Sequence, residues 1–157
     1  MTFPLLLPEV RVIGLDLSET MIEIATGNAR EHGVSERVAF REGDASAMPF
    51  DGDSFDFVVS SGSLHHWRQP AQVFKEIHRV LKSGCRALVA DLRADAPAEE
   101  VQAFAAQIDS RFMRWGLRHS FGEGYTAAEA ERLVDGVPFA SVRVEVDGMS
   151  MEIWLEK

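Results

Sequence analysis

Short apolar runs alternate with segments whose apolar residues recur at helical spacing. The short runs are typical of buried strands, and the periodic segments indicate amphipathic helices. This alternation predicts an α/β fold built on a mostly parallel sheet. The strands are predicted over Val10–Leu15, Val38–Arg41, Phe55–Ser60 and Ala87–Leu92, and the first two helices over Glu19–His32 and Pro70–Leu81.

Residues that start and stop helices support these boundaries. Ser18 is the predicted N-cap of the first helix and Gly33 lies beyond its end, while Pro70 takes the first position of the second helix and Gly84 ends it. The run at Phe55–Ser60 has almost no polar alternation, so we expect a central strand covered on both faces. The apolar face of the first helix is predicted to comprise Met21, Ile22, Ala25 and Ala29.

The C-terminal part of the chain changes character. Thr126 and Glu129 have capping-box spacing, and two alternating apolar segments then flank the turn signal Asp147-Gly148. We therefore expect the parallel sheet to end in an antiparallel hairpin. A longer amphipathic helix before the hairpin is predicted from Val101, Phe104, Ala105, Ile108, Phe112 and Trp115.

The composition of the chain argues against some classes of binding partner. The chain has 157 residues, which fits one domain, and a formal net charge of -9, which opposes binding to nucleic-acid phosphates or anionic membranes. The apolar stretch at residues 3–8 is too short to span a membrane. A single cysteine excludes an intrachain disulfide and fits a cytoplasmic location.

Asp16 is the most informative polar residue. It closes a strand-like run and leads into a helix. An acid at the carboxyl end of such a strand is placed to accept hydrogen bonds from both hydroxyls of a ribose. This position indicates a nucleotide-like cofactor, although Asp16 could also only cap the helix. A nicotinamide-binding protein is one alternative, but the terminal hairpin argues against it.

Four segments together resemble the class I S-adenosylmethionine-dependent methyltransferases. The segment Val12–Ser18 with Met21 is similar to the region of the ribose-binding acid, and Glu42–Ala45 to the segment that follows the third strand. The run Phe55–Ser60 with Leu64–Trp67 is similar to the fourth strand and its loop. Leu81–Cys85 is similar to the Leu-Lys-Pro-Gly-Gly turn, with serine and cysteine at two positions.

The resemblance implies a Rossmann-like α/β sheet, mostly parallel with an antiparallel C-terminal hairpin, in a single domain over residues 1–157. It implies S-adenosylmethionine as cofactor, S-adenosylhomocysteine as product, and methyl transfer to a small-molecule acceptor. The implied cofactor-binding residues are Asp16, Leu17, Met21, Asp44, Ala45, Ser60, Ser61 and Gly62. For Asp44 and for Ser60–Gly62 a turn-forming role is the alternative, and for Met21 it is core packing.

Two adjacent histidines are candidate catalytic bases. His66, and next His65, could accept a proton from the acceptor, since an imidazole titrates near neutral pH. The alternative for both is a hydrogen-bonding role in the loop or at the start of the following helix. No Cys/His cluster has the spacing of metal ligands, so we expect no metal site.

The chain departs from the family at its start. The first strand, the Gly-x-Gly-x-Gly turn and the following helix are missing, and residues 5–8 would be the last turn of that helix. We therefore expect an N-terminally truncated sheet in which the strand at Val10 either pairs with the strand at Phe55 or leaves a gap. A bare central edge favours self-association. A degenerate, non-catalytic member that acts by binding or self-association is the alternative function.

Overall fold

In this computed structural model the described residues are 9–107, 110 and 124–157. The chain divides into two compact units, residues 1–49 and 50–157. The smaller unit holds a two-stranded sheet and the larger a four-stranded sheet.

The smaller unit is a parallel β-α-β segment. It contains β1 (Val12–Asp16), α1 (Glu19–Glu31) and β2 (Val38–Glu42), followed by a short 3₁₀ turn over Ala45–Ala47. β1 and β2 pair in parallel, with Asp16 opposite Glu42 at their carboxyl ends. The buried residues are Ala29, Val34 and Val38, with Val12 and Phe40 packed against them.

The larger unit is a mixed sheet with helices. Its strands have the order β3-β4-β6-β5, in which β3 and β4 are parallel and the contacts of β6 with β4 and β5 are antiparallel. Its elements are β3 (Phe55–Ser61), a 3₁₀ turn (Leu64–His66), α2 (Pro70–Val80), β4 (Leu81–Leu92), α3 (Ala98–Ala106), α4 (Ala127–Leu133), β5 (Ser141–Asp147) and β6 (Ser150–Glu156).

The core of the larger unit forms where α2 meets one face of the sheet. Phe74 and Ile77 of α2 are fully buried, as are Val89 of β4 and Ile153 and Leu155 of β6. Burying an aliphatic or aromatic side chain of this size contributes roughly 1.5–3 kcal/mol. This layer holds β4 in place, and the loops at its carboxyl end are therefore anchored to a rigid strand.

Several sequence predictions are confirmed. The α/β architecture, the parallel pairing and the antiparallel terminal hairpin are all present. Ser18 is the N-cap of α1, where its hydroxyl accepts the backbone N–H of Met21. Thr126 and Glu129 form the reciprocal bonds of a capping box at the start of α4.

The predicted environment of β3 is wrong. β3 is an edge strand of its sheet, and Phe57 and Val59 are 47% and 46% exposed. The apolar run predicted a neighbour on each side, but among the described residues only β4 pairs with β3. Of the two outcomes foreseen for the strand at Val10, direct pairing with β3 does not occur, because β1 is hydrogen-bonded to β2 alone within the described chain.

Two further details also differ. The predicted second helix ends at Val80, one residue before the predicted Leu81, and β4 begins at Leu81 rather than at the predicted Ala87, because Leu81 already pairs with Phe55. On the predicted apolar face of α1, Ala29 is buried and Ile22 and Ala25 are half-buried, whereas Met21 is 49% exposed, so the face is uncovered at Met21. The predicted stripe positions 108, 112 and 115, and the N-terminal residues 5–8, lie outside the described residues.

Candidate functional site

Asp16 stands at the carboxyl end of β1 with an exposed side chain. Its Oδ1 accepts the backbone N–H of Ser18 at 2.8 Å, which fixes the carboxylate just before α1. Within the described part of the chain no donor reaches Oδ2. A carboxylate offers about four acceptor positions, so Asp16 retains capacity for a ligand with two hydroxyls. The local capping bond and a ribose-binding role are therefore compatible.

Asp44 lies at the same end of the two-stranded sheet as Asp16. The backbone N–H of Gly43 donates to the carbonyl of Asp16 at 2.9 Å and joins the segments that follow the two strands. Asp44 Oδ1 accepts both the backbone N–H and the hydroxyl of Ser46, at 2.7 and 2.8 Å. The predicted turn-forming role of Asp44 is thus present, and Asp44 is exposed, as Asp16 is.

Gly43 must be small for these segments to meet. A Cβ added there would lie 2.9 Å from Cδ1 of Leu15 and 3.1 Å from Cδ of Pro49. The close approach of backbone to side chain at this point explains the glycine in the Glu42–Ala45 segment.

Two apolar side chains that follow Asp16 in the chain are exposed to solvent. Leu17 is 69% exposed and Met21 is 49% exposed, so Met21 is not a core residue as one alternative expected. Ala45, which starts the 3₁₀ turn after Asp44, is half-buried. This end of the smaller unit therefore combines two exposed carboxylates with uncovered apolar surface, a composition suited to a nucleoside.

Ser60, Ser61 and Gly62 form the carboxyl end of β3. Gly62 has a φ of +66° and donates its N–H to the carbonyl of Ala90. The left-handed conformation shows that Gly62 makes the turn, as the structural alternative foresaw. Ser61 is exposed and Ser60 half-buried, at the end of a parallel strand pair where open α/β sheets bind ligands.

His65 is held by a buried carboxylate. Its Nδ1 lies 2.9 and 3.0 Å from the two oxygens of Asp91, and its backbone N–H donates to Oδ2 at 3.1 Å. The side chains are 7% and 1% exposed. Asp91 also accepts the backbone N–H of Leu92 at 2.7 Å. Because the carboxylate has only acceptors, the proton of a neutral His65 sits on Nδ1 and leaves Nε2 as an acceptor.

His66 packs against His65. Their ring centroids are 3.9 Å apart, and His66 is exposed whereas His65 is largely buried. The loop after β3 therefore presents one accessible imidazole supported by a second one that is fixed to β4. This arrangement is suited to accepting a proton from a bound molecule.

Asp91 was not among the residues predicted from the sequence. It is the next-to-last residue of β4, as Asp16 is the last residue of β1, and each acid follows an apolar run. The signal that identified Asp16 could have identified Asp91 as well. The structure brings Asp91, His65 and the Ser60–Gly62 turn to one end of the β3–β4 pair, and Asp16 and Asp44 to one end of the β1–β2 pair.

Other features of the surface do not add to this site. A cavity of about 230 Å³ on the open face of the larger sheet contains none of the predicted site residues; it is lined by Arg86, Ser141, Arg143, Trp154, Leu155 and Glu156. Across the described ranges, no three His, Cys, Asp or Glu side chains are grouped to hold a metal ion. No helix within those ranges has the length and apolar character to cross a membrane.

Parallel strand pairs with acids at their carboxyl ends are typical of α/β proteins that bind nucleotides. Comparison with known proteins specifies the family further, since the family model for a methyltransferase domain matches residues 2–89. The chain belongs to this methyltransferase domain family.

Individual relatives agree with the family. The chain is 39% identical over 79 residues to the uncharacterized methyltransferase YcgJ of Bacillus subtilis, covering 50% of this chain and 31% of YcgJ. It is 43% identical over 79 residues to a demethylmenaquinone methyltransferase of Lactococcus lactis, covering 50% of this chain and 31% of that protein. The chain thus spans about a third of the length of either relative.

The fold is also similar to that of a solved structure. A SAM-dependent methyltransferase from Aquifex aeolicus superimposes with a TM-score of 0.69 at 15% identity, over 92% of this chain and 68% of that chain. At this identity the similarity concerns the fold alone. The fold is that of the S-adenosylmethionine-dependent methyltransferases, and S-adenosylmethionine is the cofactor of this class.

Proposed function

We propose that this chain transfers a methyl group from S-adenosylmethionine to a small-molecule acceptor. The observation that carries this proposal is the pair of exposed carboxylates, Asp16 and Asp44, at the carboxyl ends of β1 and β2 in a chain of the methyltransferase family. We further propose that the two compact units are parts of one methyltransferase domain over residues 1–157.

The residues of the smaller unit suit the nucleoside part of the cofactor. Asp16 has acceptor capacity left for the ribose hydroxyls, and Asp44 is exposed for the adenine amino group. Leu17, Met21 and Ala45 supply apolar surface for the ring. In the larger unit, the Ser60–Gly62 turn offers hydroxyl and backbone groups at the ligand end of β3.

The cofactor supplies an activated methyl group on a sulfonium centre, so the protein chiefly aligns and desolvates the reactants. A base is needed when the acceptor carries a proton that it must lose. We assign this role to His66, which is exposed, with His65 as the second candidate. Asp91 acts as a positioning residue because it fixes His65, against which His66 packs.

The remaining parts of the proposal concern partners and location. The acidic net charge of -9 supports a small acceptor rather than nucleic acid or an anionic membrane, and we propose a cytoplasmic protein. We also propose self-association through an exposed sheet edge. In the larger sheet the outer strands are β3 and β5, and neither has a second strand partner among the described residues.

Calorimetric titration with S-adenosylhomocysteine tests the cofactor site. We expect the parent chain to bind S-adenosylhomocysteine at one site. In Asp16→Ala the free energy of binding should weaken by roughly 1.5–3 kcal/mol, because hydrogen bonds to a charged group are removed. Glu23→Ala, which changes an exposed acid on α1, is the control and should bind like the parent.

Each outcome is decisive. Unchanged affinity in a folded Asp16→Ala variant would remove Asp16 from the site. No binding by the folded parent chain would overturn the proposed activity and leave a non-catalytic relative that acts by binding or self-association.

A further inference from the structure

The outer edge of β5 combines exposed apolar and charged residues. Val142 and Val146 are 42% and 51% exposed. The side chains of Arg143 and Glu145 are 65% and 51% exposed. In the described chain β5 pairs only with β6. Such an edge offers a row of backbone donors and acceptors to another strand.

Hydrogen bonds in the sheet show which residues of β5 offer their backbone groups outward. Arg93 donates to Met149 and Lys157 to Cys85, so the odd-numbered residues of β6 bond to β4. Its even-numbered residues then bond to β5, where Trp154 lies opposite Arg143. By the alternation of an antiparallel ladder, Val142, Val144 and Val146 direct their N–H and C=O groups to the outer edge.

The side chains of β5 alternate in the same way between the two faces of the sheet. Val142, Val144 and Val146 lie opposite Leu155, Ile153 and Met151, which are at most 1% exposed, so the valines share the core face. Arg143 and Glu145 are on the other face. Glu145 is opposite Glu152 in its own chain, an unfavourable like-charge pair.

We infer that the β5 edge pairs with the β5 edge of a second copy of this chain. An antiparallel pairing centred on Val144 uses all seven residues of the strand. It sets Val142 opposite Val146 of the second copy and Arg143 opposite Glu145. The interface is isologous, so the Val142–Val146 and Arg143–Glu145 contacts each occur twice, and Val144 faces its own copy at the two-fold axis.

The charge pattern selects this register over its neighbours. A shift of two residues in one direction sets Arg143 opposite Arg143, and in the other direction Glu145 opposite Glu145. A shift of one residue moves the valines to the wrong face. The centred register is the one of these that sets Arg143 opposite Glu145, so the ion pair that these residues form within each chain at 3.1 Å is joined by opposite charges across the interface.

The edge of β3 is less complementary to itself. A centred antiparallel pairing there sets Phe57 opposite Val59 but places Asp56 opposite Ser60, with no opposite-charge contact. The β5 edge is therefore the self-association surface that the charges favour. This inference does not depend on methyl transfer.

Sedimentation velocity over a concentration series tests the inference with the full chain and no ligand. We expect a reversible monomer–dimer equilibrium. A seven-residue edge buries less than the ~1,600 Å² of a standard interface, so the dimer should be weak. A parent chain that remains monomeric throughout the series would overturn the inference.

Charge reversal provides the specific test. Arg143→Glu and Glu145→Arg, each alone, should raise the dissociation constant by about tenfold, since each sets like charges opposite one another. Mixing the two single variants should restore association, because every cross-strand charge pair is then opposite again. Both positions are exposed, so the variants should fold. Failure of the mixture to associate would contradict the proposed register.

Proline substitution distinguishes the two edges of the sheet. Val144→Pro removes an outward N–H of β5 and should abolish the dimer. Val59→Pro is the matched change in β3, where the bond from Gly62 to Ala90 shows that even-numbered residues face β4. This variant should dimerise like the parent. Loss of the dimer in Val59→Pro, with Val144→Pro unaffected, would overturn the inference in favour of the β3 edge.

Discussion

At the residue scale, Asp91 is a buried carboxylate near the proposed site that depends on several hydrogen-bond donors. Its carboxylate is almost fully buried and accepts N–H groups from the His65 backbone, the His65 ring and Leu92. An acid buried with this many donors joins the end of β4 to the loop after β3. It also sets the tautomer of His65, on which the exposed His66 ring rests.

Asp91→Asn should lower the stability of the chain and change the tautomer of His65. The amide replaces one acceptor oxygen with a donor, so a buried N–H loses its partner at a cost of about 1–3 kcal/mol. Urea denaturation measures this cost, and ¹⁵N NMR of the ring nitrogens of His65 should show the Nδ1–H form in the parent and a mixture in the variant.

Asp135→Asn, an exposed change, is the control and should leave both readouts unchanged. An unaltered His65 spectrum in Asp91→Asn would show that Asp91 does not position the ring. Neither readout requires a bound cofactor or a known acceptor.

Substitution of Gly14 and of Gly27 by alanine should change the stability of the chain in opposite directions. A Cβ on Gly14 would lie 2.6 Å from Cδ1 of Phe40, so Gly14→Ala must displace the ring and should destabilise the chain by about 1–3 kcal/mol. Gly27 is inside α1 with nothing within 4 Å of an added Cβ. Gly27→Ala should therefore raise the free energy of unfolding of the chain by roughly 0.5–1 kcal/mol.

Thermal or urea unfolding of both variants measures the two shifts. Equal effects of the two alanines would mean that the ring of Phe40 does not pack over Gly14 in solution.

At the element scale, the ends of helices follow from local chemistry. The capping box of α4 has two reciprocal bonds, from Glu129 N–H to the Thr126 hydroxyl at 3.2 Å and from Thr126 N–H to the Glu129 carboxylate at 2.9 Å. The backbone N–H of Thr126, and then its hydroxyl, lowers the pKa of Glu129 below its ordinary value.

This lowered pKa predicts a pH-dependent contribution to stability. A group whose pKa is lower when folded stabilises above its unfolded pKa, near 4.3 for glutamate, and loses that effect as the pH falls through the folded value. Glu129→Ala should therefore be less stable than the parent at neutral pH, and the difference should shrink below about pH 4.

Denaturation curves at several pH values check this result. Glu131→Ala, an exposed change in the same helix, is the control and should show no comparable pH-dependent difference. A difference for Glu129→Ala that persists unchanged in acid would exclude an electrostatic contribution from the cap.

At the scale of the whole molecule, the core is unevenly divided. Among the described residues, the largest fully buried side chains, such as Phe74, Leu64 and Ile153, all belong to residues 50–157. In residues 1–49 the described buried hydrophobic residues are Ala29, Val34 and Val38. Small apolar side chains bury little area, so the smaller unit is expected to be the less stable one.

Native-state hydrogen exchange should show this difference directly. The amides of β1 and β2 should exchange faster than those of β4 and β6, because opening the smaller unit exposes less apolar surface. Amides of Ala39 and Val89 are suitable reporters: the bonds from Val12 to Arg37 and from Gly43 to Asp16 show that odd-numbered residues of β2 bond to β1, and the bond from Arg93 to Met149 shows that odd-numbered residues of β4 bond to β6. Equal protection at both would indicate that the whole chain opens in a single cooperative step.

The features that could be predicted from the sequence are those that depend on local chemistry. The strand and helix periodicities, the Ser18 cap, the capping box and the hairpin at Gly148 follow from residues close together in the chain, because caps and turns need only near neighbours. The acid at Asp16 was also visible in the sequence, since it directly follows an apolar strand.

Contacts between distant segments could not be predicted and follow from the way the elements pack. The apolar run of β3 predicted a covered central strand, yet an apolar strand cannot specify which strands stand beside it, and β3 lies at an edge. Asp91 is 26 residues from His65, and only the parallel pairing of β3 with β4 brings the two together. Burial and partnership depend on the packing of separate elements, which no local pattern contains.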